Sequence, residues 1–220
     1  MASSPRIALI HATPVAVEPI RQVLAADWPE VDAFNILDDS LTADRARAGE
    51  ISEALTGRII GLARYAHSTG ADAILFTCSA FGTAISRAAD SLDVPVLKPN
   101  EAMFEAAIER GRNIAMIVTF PPAQASMEAE FAEEARRLGS AARLTSFIAE
   151  GAITALKAGD AATHNWLVTE QARALAAFDT IVLAHFSTAP AAPAVRAAVD
   201  VPVLTSPEAA VAKMRRLLGA

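Results

Sequence analysis

The 220-residue chain contains one cysteine, Cys78, and aromatic residues make up only 5% of it. A single thiol excludes an internal disulfide and any metal site built from several thiolates. Basic residues are also scarce: 19 Lys and Arg stand against 25 Asp and Glu, a formal net charge of −6. With no Lys/Arg run to build a phosphate-binding face, this balance argues against a nucleic-acid partner. No apolar run reaches the roughly 18 residues of a membrane span. The opening Met1-Ala-Ser-Ser-Pro-Arg lacks the charged and then apolar segment of a secretory signal. The expectation is a cytoplasmic protein with no nucleic-acid and no membrane partner. Phosphate-loop and dinucleotide glycine motifs are missing, as are zinc-ligand spacing and a Gly-x-Ser-x-Gly elbow. No cofactor is therefore expected, whether nucleotide, nicotinamide or metal.

What the chain does have is apolar content, 53% by count and much of it alanine. Short apolar runs alternate with longer stretches of helical period, the pattern of an α/β fold with a mainly parallel sheet. The expected strands are Arg6–His11, Ala33–Leu37, Ala73–Thr77, Val94–Leu97, Ile114–Val118, Leu144–Ile148, Ile181–Ala184 and Val201–Leu204. Helices are expected over Pro14–Ala26, Glu50–Ser68, Ala80–Ala89, Glu101–Arg110, Pro122–Leu138, Ala161–Ala176, Pro190–Ala198 and Pro207–Leu217.

An internal repeat organises these elements. Ile7-Ala-Leu-Ile10 resembles Ile114-Ala-Met-Ile117, an offset of 114 − 7 = 107. Asp72-Ala-Ile-Leu-Phe-Thr-Cys78 aligns with Asp179-Thr-Ile-Val-Leu-Ala-His185 at 179 − 72 = 107, and Val94-Pro-Val-Leu97 with Val201-Pro-Val-Leu204 at 201 − 94 = 107. Three blocks sharing one offset point to duplication, since any single Val-rich block would be weak. The expected architecture is two pseudo-symmetric α/β lobes, each a mainly parallel four-stranded sheet flanked by helices. Residues 1–99 form the first lobe, with the C-terminal helix 206–220 packing back on it, and residues 100–205 the second. Ligands bind beyond the carboxyl ends of such strands, so the expected active-site cleft lies between the lobes, with Cys78 and His185 as opposed equivalents.

Cys78 stands where a buried strand breaks into Cys-Ser-Ala-Phe-Gly before a helix. Unpaired amides and the positive end of a helix dipole favour thiolate there, and with Ser79 they suit a carboxylate. A buried structural cysteine is the plain alternative. His185, followed by Phe186-Ser187-Thr188, can exchange protons near neutral pH, or else simply hydrogen-bond within a turn. His11, Thr13 and Thr119 end the first strand of each half and can reach a bound carboxylate, with helix capping the competing role for the threonines. Lys98-Pro99-Asn100 and Thr205-Ser206-Pro207 read as caps and solvated turns, and Asp38-Asp39-Ser40 as a solvated loop. His67 and His164, on helices away from the strand ends, read as surface residues.

With these residues in hand, the chain resembles the aspartate/glutamate/hydantoin racemase superfamily, whose relatives include arylmalonate decarboxylases and maleate isomerases. The resemblance covers nearly the whole chain and rests on the two-lobed repeat, Thr77-Cys78-Ser79 and Leu183-Ala184-His185-Phe186-Ser187. It implies cofactor-independent proton transfer at the carbon α to a carboxylate, on an amino acid such as aspartate or glutamate or on a hydantoin. Cys78 and His185 are implied as the catalytic pair, with substrate held by Ser79, Thr13, Thr119, His11, Ser187 and Thr188. Members place a cysteine in each half; here His185 stands where the second is usual. Two readings follow: a mixed pair that still racemises, or a one-sided reaction such as malonate decarboxylation or maleate isomerisation. A non-catalytic small-carboxylate binding protein is the alternative of another class. The resemblance also implies a homo-oligomer.

Overall fold

The computed structural model describes residues 4–220. Met1-Ala2-Ser3, part of the segment read for a signal, lies outside the described residues. Two compact units are formed, one from the described residues up to Pro99 with Ala210–Ala220, the other from Asn100–Ala209.

In the first unit the strands are β1 (Arg6–His11), β2 (Asp32–Leu37), β3 (Ala73–Phe76) and β4 (Val96–Leu97). They form an all-parallel sheet in the order β2-β1-β3-β4. The helices are α1 (Val17–Asp27), α2 (Ser40–Ala48), α3 (Glu53–Ser68) and α4 (Gly82–Ala89). Central strands buried on both faces must be apolar throughout, and every residue of β3 is buried. The edge strand β2 shows alternation instead, with Asp32, Asn35 and Leu37 exposed. One face of the sheet packs Ala8, Ile10, Ile74 and Phe76 against Leu55, Ile59 and Ala63 of α3 and Ile85 of α4, and Cys78 rests on this cluster.

The second unit repeats the plan with β5 (Asn113–Val118), β6 (Arg143–Ile148), β7 (Thr180–Leu183) and β8 (Val203–Thr205), in the order β6-β5-β7-β8 and again all parallel. Its helices are α5 (Glu101–Arg110), α6 (Gln124–Arg137), α7 (Ala152–Lys157), α8 (Ala161–Arg173) and α9 (Ala192–Ala198). The last helix, α10 (Ser206–Leu218), begins in this unit and joins the first from Ala210 onward. No helix among the described residues is long and apolar enough to cross a membrane.

The 107-residue offset has a local physical basis. Asp72 accepts the Arg6 backbone N–H at 2.7 Å, and its repeat mate Asp179 accepts those of Arg112 and Asn113, each at 2.8 Å. Each carboxylate thus ties the start of its third strand to the start of the first. Gly111 makes room for this tie: a Cβ there would lie 2.3 Å from the Asp179 Cβ.

Several expectations are corrected. The helix placed at Glu50–Ser68 starts at Glu53, because Ser52 caps it by accepting the Leu55 N–H at 3.2 Å. Three helices expected to open on a proline begin instead as short 3-10 turns, Pro14–Ala16, Pro121–Ala123 and Phe186–Ala191. Asp38-Asp39-Ser40 is no plain solvated loop. Ser40 opens α2, and Asp38 accepts from its hydroxyl at 2.7 Å and pairs with Arg58. His164 is 1% exposed, not a surface residue, and Asn100 and Ser206 are fully buried, with Ser206 Oγ donating to Asn100 Oδ1 at 2.8 Å. The two tryptophans divide between the units: Trp28, just past α1, is fully buried, and Trp166 on α8 is 58% exposed.

Candidate active site

In a parallel sheet ordered 2-1-3-4, chain connections leave the first and third strands in opposite directions. The crevice opened at their carboxyl ends is where α/β proteins bind ligands. In each unit this switch point gathers the residues singled out in the sequence.

In the first unit, β3 ends at Phe76, and Thr77 extends the ladder by one bond, its N–H donating to Ile10 O at 3.0 Å. Cys78 follows with extended dihedrals, φ −118° and ψ 120°, and Ser79–Phe81 turns into α4. Burial pushes the Cys78 thiol up from its ordinary value, with the nearby Ala80 backbone N–H a smaller influence in the other direction. Ser79 is buried directly beside the thiol.

His11 ends β1 fully buried, and both its ring nitrogens are engaged. Nδ1 lies 2.8 Å from Thr77 Oγ1 and Nε2 lies 2.9 Å from Asn35 Oδ1. An amide oxygen can only accept, so Nε2 carries the proton and Nδ1 accepts from the Thr77 hydroxyl. Burial holds the His11 imidazole below its usual basicity, against the opposing pull of the Asn35 bond. The ring thus holds protein groups, with no nitrogen left for a ligand. Thr13 precedes the turn Pro14–Ala16 and makes no side-chain cap bond.

In the second unit, Thr119 follows β5 and is 1% exposed; the turn beyond it is capped at Phe120, so Thr119 is not a helix cap. Its Oγ1 lies 3.3 Å from Thr188 Oγ1, and the Thr188 N–H donates to His185 O at 3.2 Å. Ser187 is half-buried on the same turn. His185 has φ 70° and ψ 142°, the one positive φ at a non-glycine among the described residues. A side chain in that region costs of order 1–3 kcal/mol and persists where its surroundings impose it. Its Nε2 is buried with no hydrogen-bond partner among the described residues, and burial lowers the imidazole to about 4. The Phe120 ring meets it edge-on, and the Lys157 ammonium lies 5.9 Å from the Phe120 ring centre.

Thr77, Asn35 and Phe120 were not anticipated as site residues. Asn35 carried a signal, being the polar residue within Ala33-Phe34-Asn35-Ile36 and in register with Leu9, two residues from His11. Among the described residues no group of three or more His, Cys, Asp and Glu side chains is placed to hold a metal ion.

No curated protein matches the chain by sequence. Among solved structures it is similar to aspartate racemase from Picrophilus torridus, at 18% identity over 98% of this chain and 95% of that one, with a TM-score of 0.72. Allantoin racemase from Klebsiella pneumoniae matches at 17% identity over 98% and 88%, with a TM-score of 0.74. A variant of arylmalonate decarboxylase matches at 18% over 99% and 94%, with a TM-score of 0.68. At these identities the likeness is one of fold. The Asp/Glu/hydantoin racemase family model matches residues 10–175, a span that includes Cys78 and stops short of His185. With three-quarters of its length matched, the chain belongs to the Asp/Glu/hydantoin racemase family.

Proposed function

We propose that the chain is a cofactor-independent racemase or epimerase, an isomerase moving protons at the carbon α to a carboxylate or hydantoin carbonyl. The observation that carries this reading is the equivalence of Cys78 and His185. Each stands two residues past the end of the third strand of an identically ordered sheet, at its switch point, in a family of racemases. Their surroundings assign the resting protonation states. The thiol, pushed up by burial, is protonated at neutral pH, and the imidazole, pushed down, is neutral. His185 is then the base and Cys78 the acid. His185 Nε2 takes the α-proton as the C–H bond breaks, and the Cys78 S–H proton goes to the opposite face of the carbon. Thiolate and imidazolium remain, and solvent exchange resets both. Ser79, Ser187, Thr188, Thr13 and Thr119 supply donors for the carboxylate and its developing enolate charge.

Incubation with aspartate, glutamate and 5-substituted hydantoins in deuterated water, followed by mass spectrometry of the α-position, tests this. Exchange with at least one of them is expected, reduced about a thousandfold or more in Cys78→Ser. No exchange with any of them, from folded protein, would refute it.

A second reading draws on the single thiol and on the likeness to arylmalonate decarboxylase. The Cys78 proton would then quench the carbanion left as carbon dioxide departs from a substituted malonate. Carbon dioxide release without α-hydrogen exchange selects this lyase reaction, and fumarate formed from maleate selects cis–trans isomerisation. Binding of such acids with no turnover selects a non-catalytic carboxylate-binding role.

A further inference from the structure

Each unit has a corner where its first long helix passes its outer strand, α1 beside β2 and α6 beside β6. At the offset of 107 the first residue of α1, Val17, falls on the first of α6, Gln124, and Arg21 falls on Glu128. Asn35 is in register with Leu9, and Ser146 with Met116, the repeat mate of Leu9. Arg21 and Asn35 therefore hold the places that Glu128 and Ser146 hold in the second unit. There the corner is closed by a carboxylate of the chain itself. Glu128 Oε1 accepts from the Ser146 hydroxyl at 2.6 Å and from the Gln124 amide at 2.8 Å.

In the first unit the same corner holds a cavity of about 210 Å³. Leu9, Leu24, Trp28 and Val31 are among its apolar walls, and Arg21 and Asn35 are its polar ones. Both polar side chains offer donors. Asn35 Oδ1 is taken by His11, in the line that runs on to Thr77, which leaves the amide N–H groups. Arg21 gives Nε and Nη2 to Glu18 and keeps Nη1. No acidic side chain is among the described residues that line the cavity. Ala33 and Asn35 alternate along β2 with Phe34 and Ile36, which pack on the cluster that carries Cys78. The cavity thus lies on the opposite face of that sheet.

We propose that this cavity is a binding site for a small carboxylate with a compact apolar body, separate from the reaction site at Cys78. The ligand's carboxylate takes the place that Glu128 fills in the second unit, accepting from Asn35 Nδ2 and Arg21 Nη1. Its apolar body rests on Leu24, Trp28 and Val31. Hydrogen bonds to an ionised carboxylate are the stronger kind, and the apolar walls favour a ligand that is not all polar. The proposal does not depend on the reaction assigned to Cys78 and His185.

The test titrates phenylacetate, with neutral phenylacetamide as control, into the full chain carrying Trp166→Phe. Trp28 is then the only indole, and its N–H resonance reports on the cavity wall. That N–H has no hydrogen-bond partner among the described residues. Phenylacetate should shift it saturably with a Kd of the order of 1 mM, and the amide should bind about tenfold more weakly. Arg21→Gln and Asn35→Asp should each weaken phenylacetate about tenfold. Arg21→Glu supplies the carboxylate from the chain, as Glu128 does, and should abolish binding. The Arg21 side chain is 67% exposed, so its replacement spares the fold, and Asn35→Asp keeps an acceptor for the His11 Nε2–H. Equal affinity for acid and amide overturns the carboxylate assignment. Unchanged affinity in Arg21→Gln and Asn35→Asp, or no saturable shift at about twenty times the expected Kd, overturns the site. Failure of every candidate substrate to exchange its α-hydrogen would leave this result standing.

Discussion

The Phe120 ring meets the His185 imidazole edge-on, the ring centres 6.5 Å apart and the planes at 71°. An aromatic edge contact is worth about 0.5–1.5 kcal/mol, and here it packs beside a ring whose buried Nε2 has no hydrogen-bond partner among the described residues. Phe120→Ala should therefore return the imidazole from about 4 toward its ordinary 6.5. Nuclear magnetic resonance titration of the histidine ring protons measures this directly. An unchanged value would mean that other groups enclose the ring.

The activity profile follows from the same assignment. With His185 as base and Cys78 as acid in the free enzyme, kcat/KM should fall only below about pH 4, where the imidazole protonates, and at high pH, where the thiol ionises. From roughly pH 5 through neutrality it should be flat. A narrow bell centred near neutrality would mean the pair is poised differently.

Acid stability gives an independent check on His185. Its folded-state value lies below the unfolded 6.5, so the unfolded chain binds the extra proton as pH falls from above 6.5 toward 4, and stability is lost across that window. The loss attributable to His185 between pH 7 and 5 is about 2 kcal/mol. Urea unfolding of His185→Gln should lack this increment while retaining the contribution of His11, whose value is also lowered by burial.

The left-handed backbone at 185 makes a separate claim. Alanine there keeps the strain of φ 70°, whereas glycine is free of it. His185→Gly should thus be more stable than His185→Ala by about 1 kcal/mol, an inversion of the usual order seen in urea midpoints. Both variants should lack exchange activity.

Gly111 is expected to tolerate no side chain, because a Cβ would overlap the Asp179 carboxylate that ties β7 to β5. Gly111→Ala should lower the urea midpoint, and Asp179→Asn should reproduce part of the loss. A matching alanine at Gly57, where a Cβ meets nothing within 4 Å, should not lower it.

The strands were legible because parallel strands buried on both faces leave continuous apolar runs, as in Ala73–Phe76 and Thr180–Leu183. The helix at Ser40–Ala48 was not, since Leu41 is its one buried residue and ion pairs from Arg58 to Asp38 and Asp44 help fix it. His164 could have been read: with Val168 and Ala172 it recurs every fourth residue, a buried stripe. Cys78 and His185 emerged from the repeat, but the conformation of His185 did not. A positive φ at histidine is imposed by packing distant in sequence, and no local residue announces it. The His11 line escaped because its members lie 24 and 66 residues apart and meet only when β1, β2 and β3 come into register.

The placement of the tryptophans gives the molecule an optical asymmetry. Trp28, enclosed in the first unit, should emit toward the blue and resist acrylamide, while Trp166, on the surface of the second, should emit toward the red and be quenched readily. Replacing either one by phenylalanine leaves a fluorophore confined to one unit. Whether the half bearing Cys78 and the half bearing His185 melt together or in sequence then becomes a question of colour.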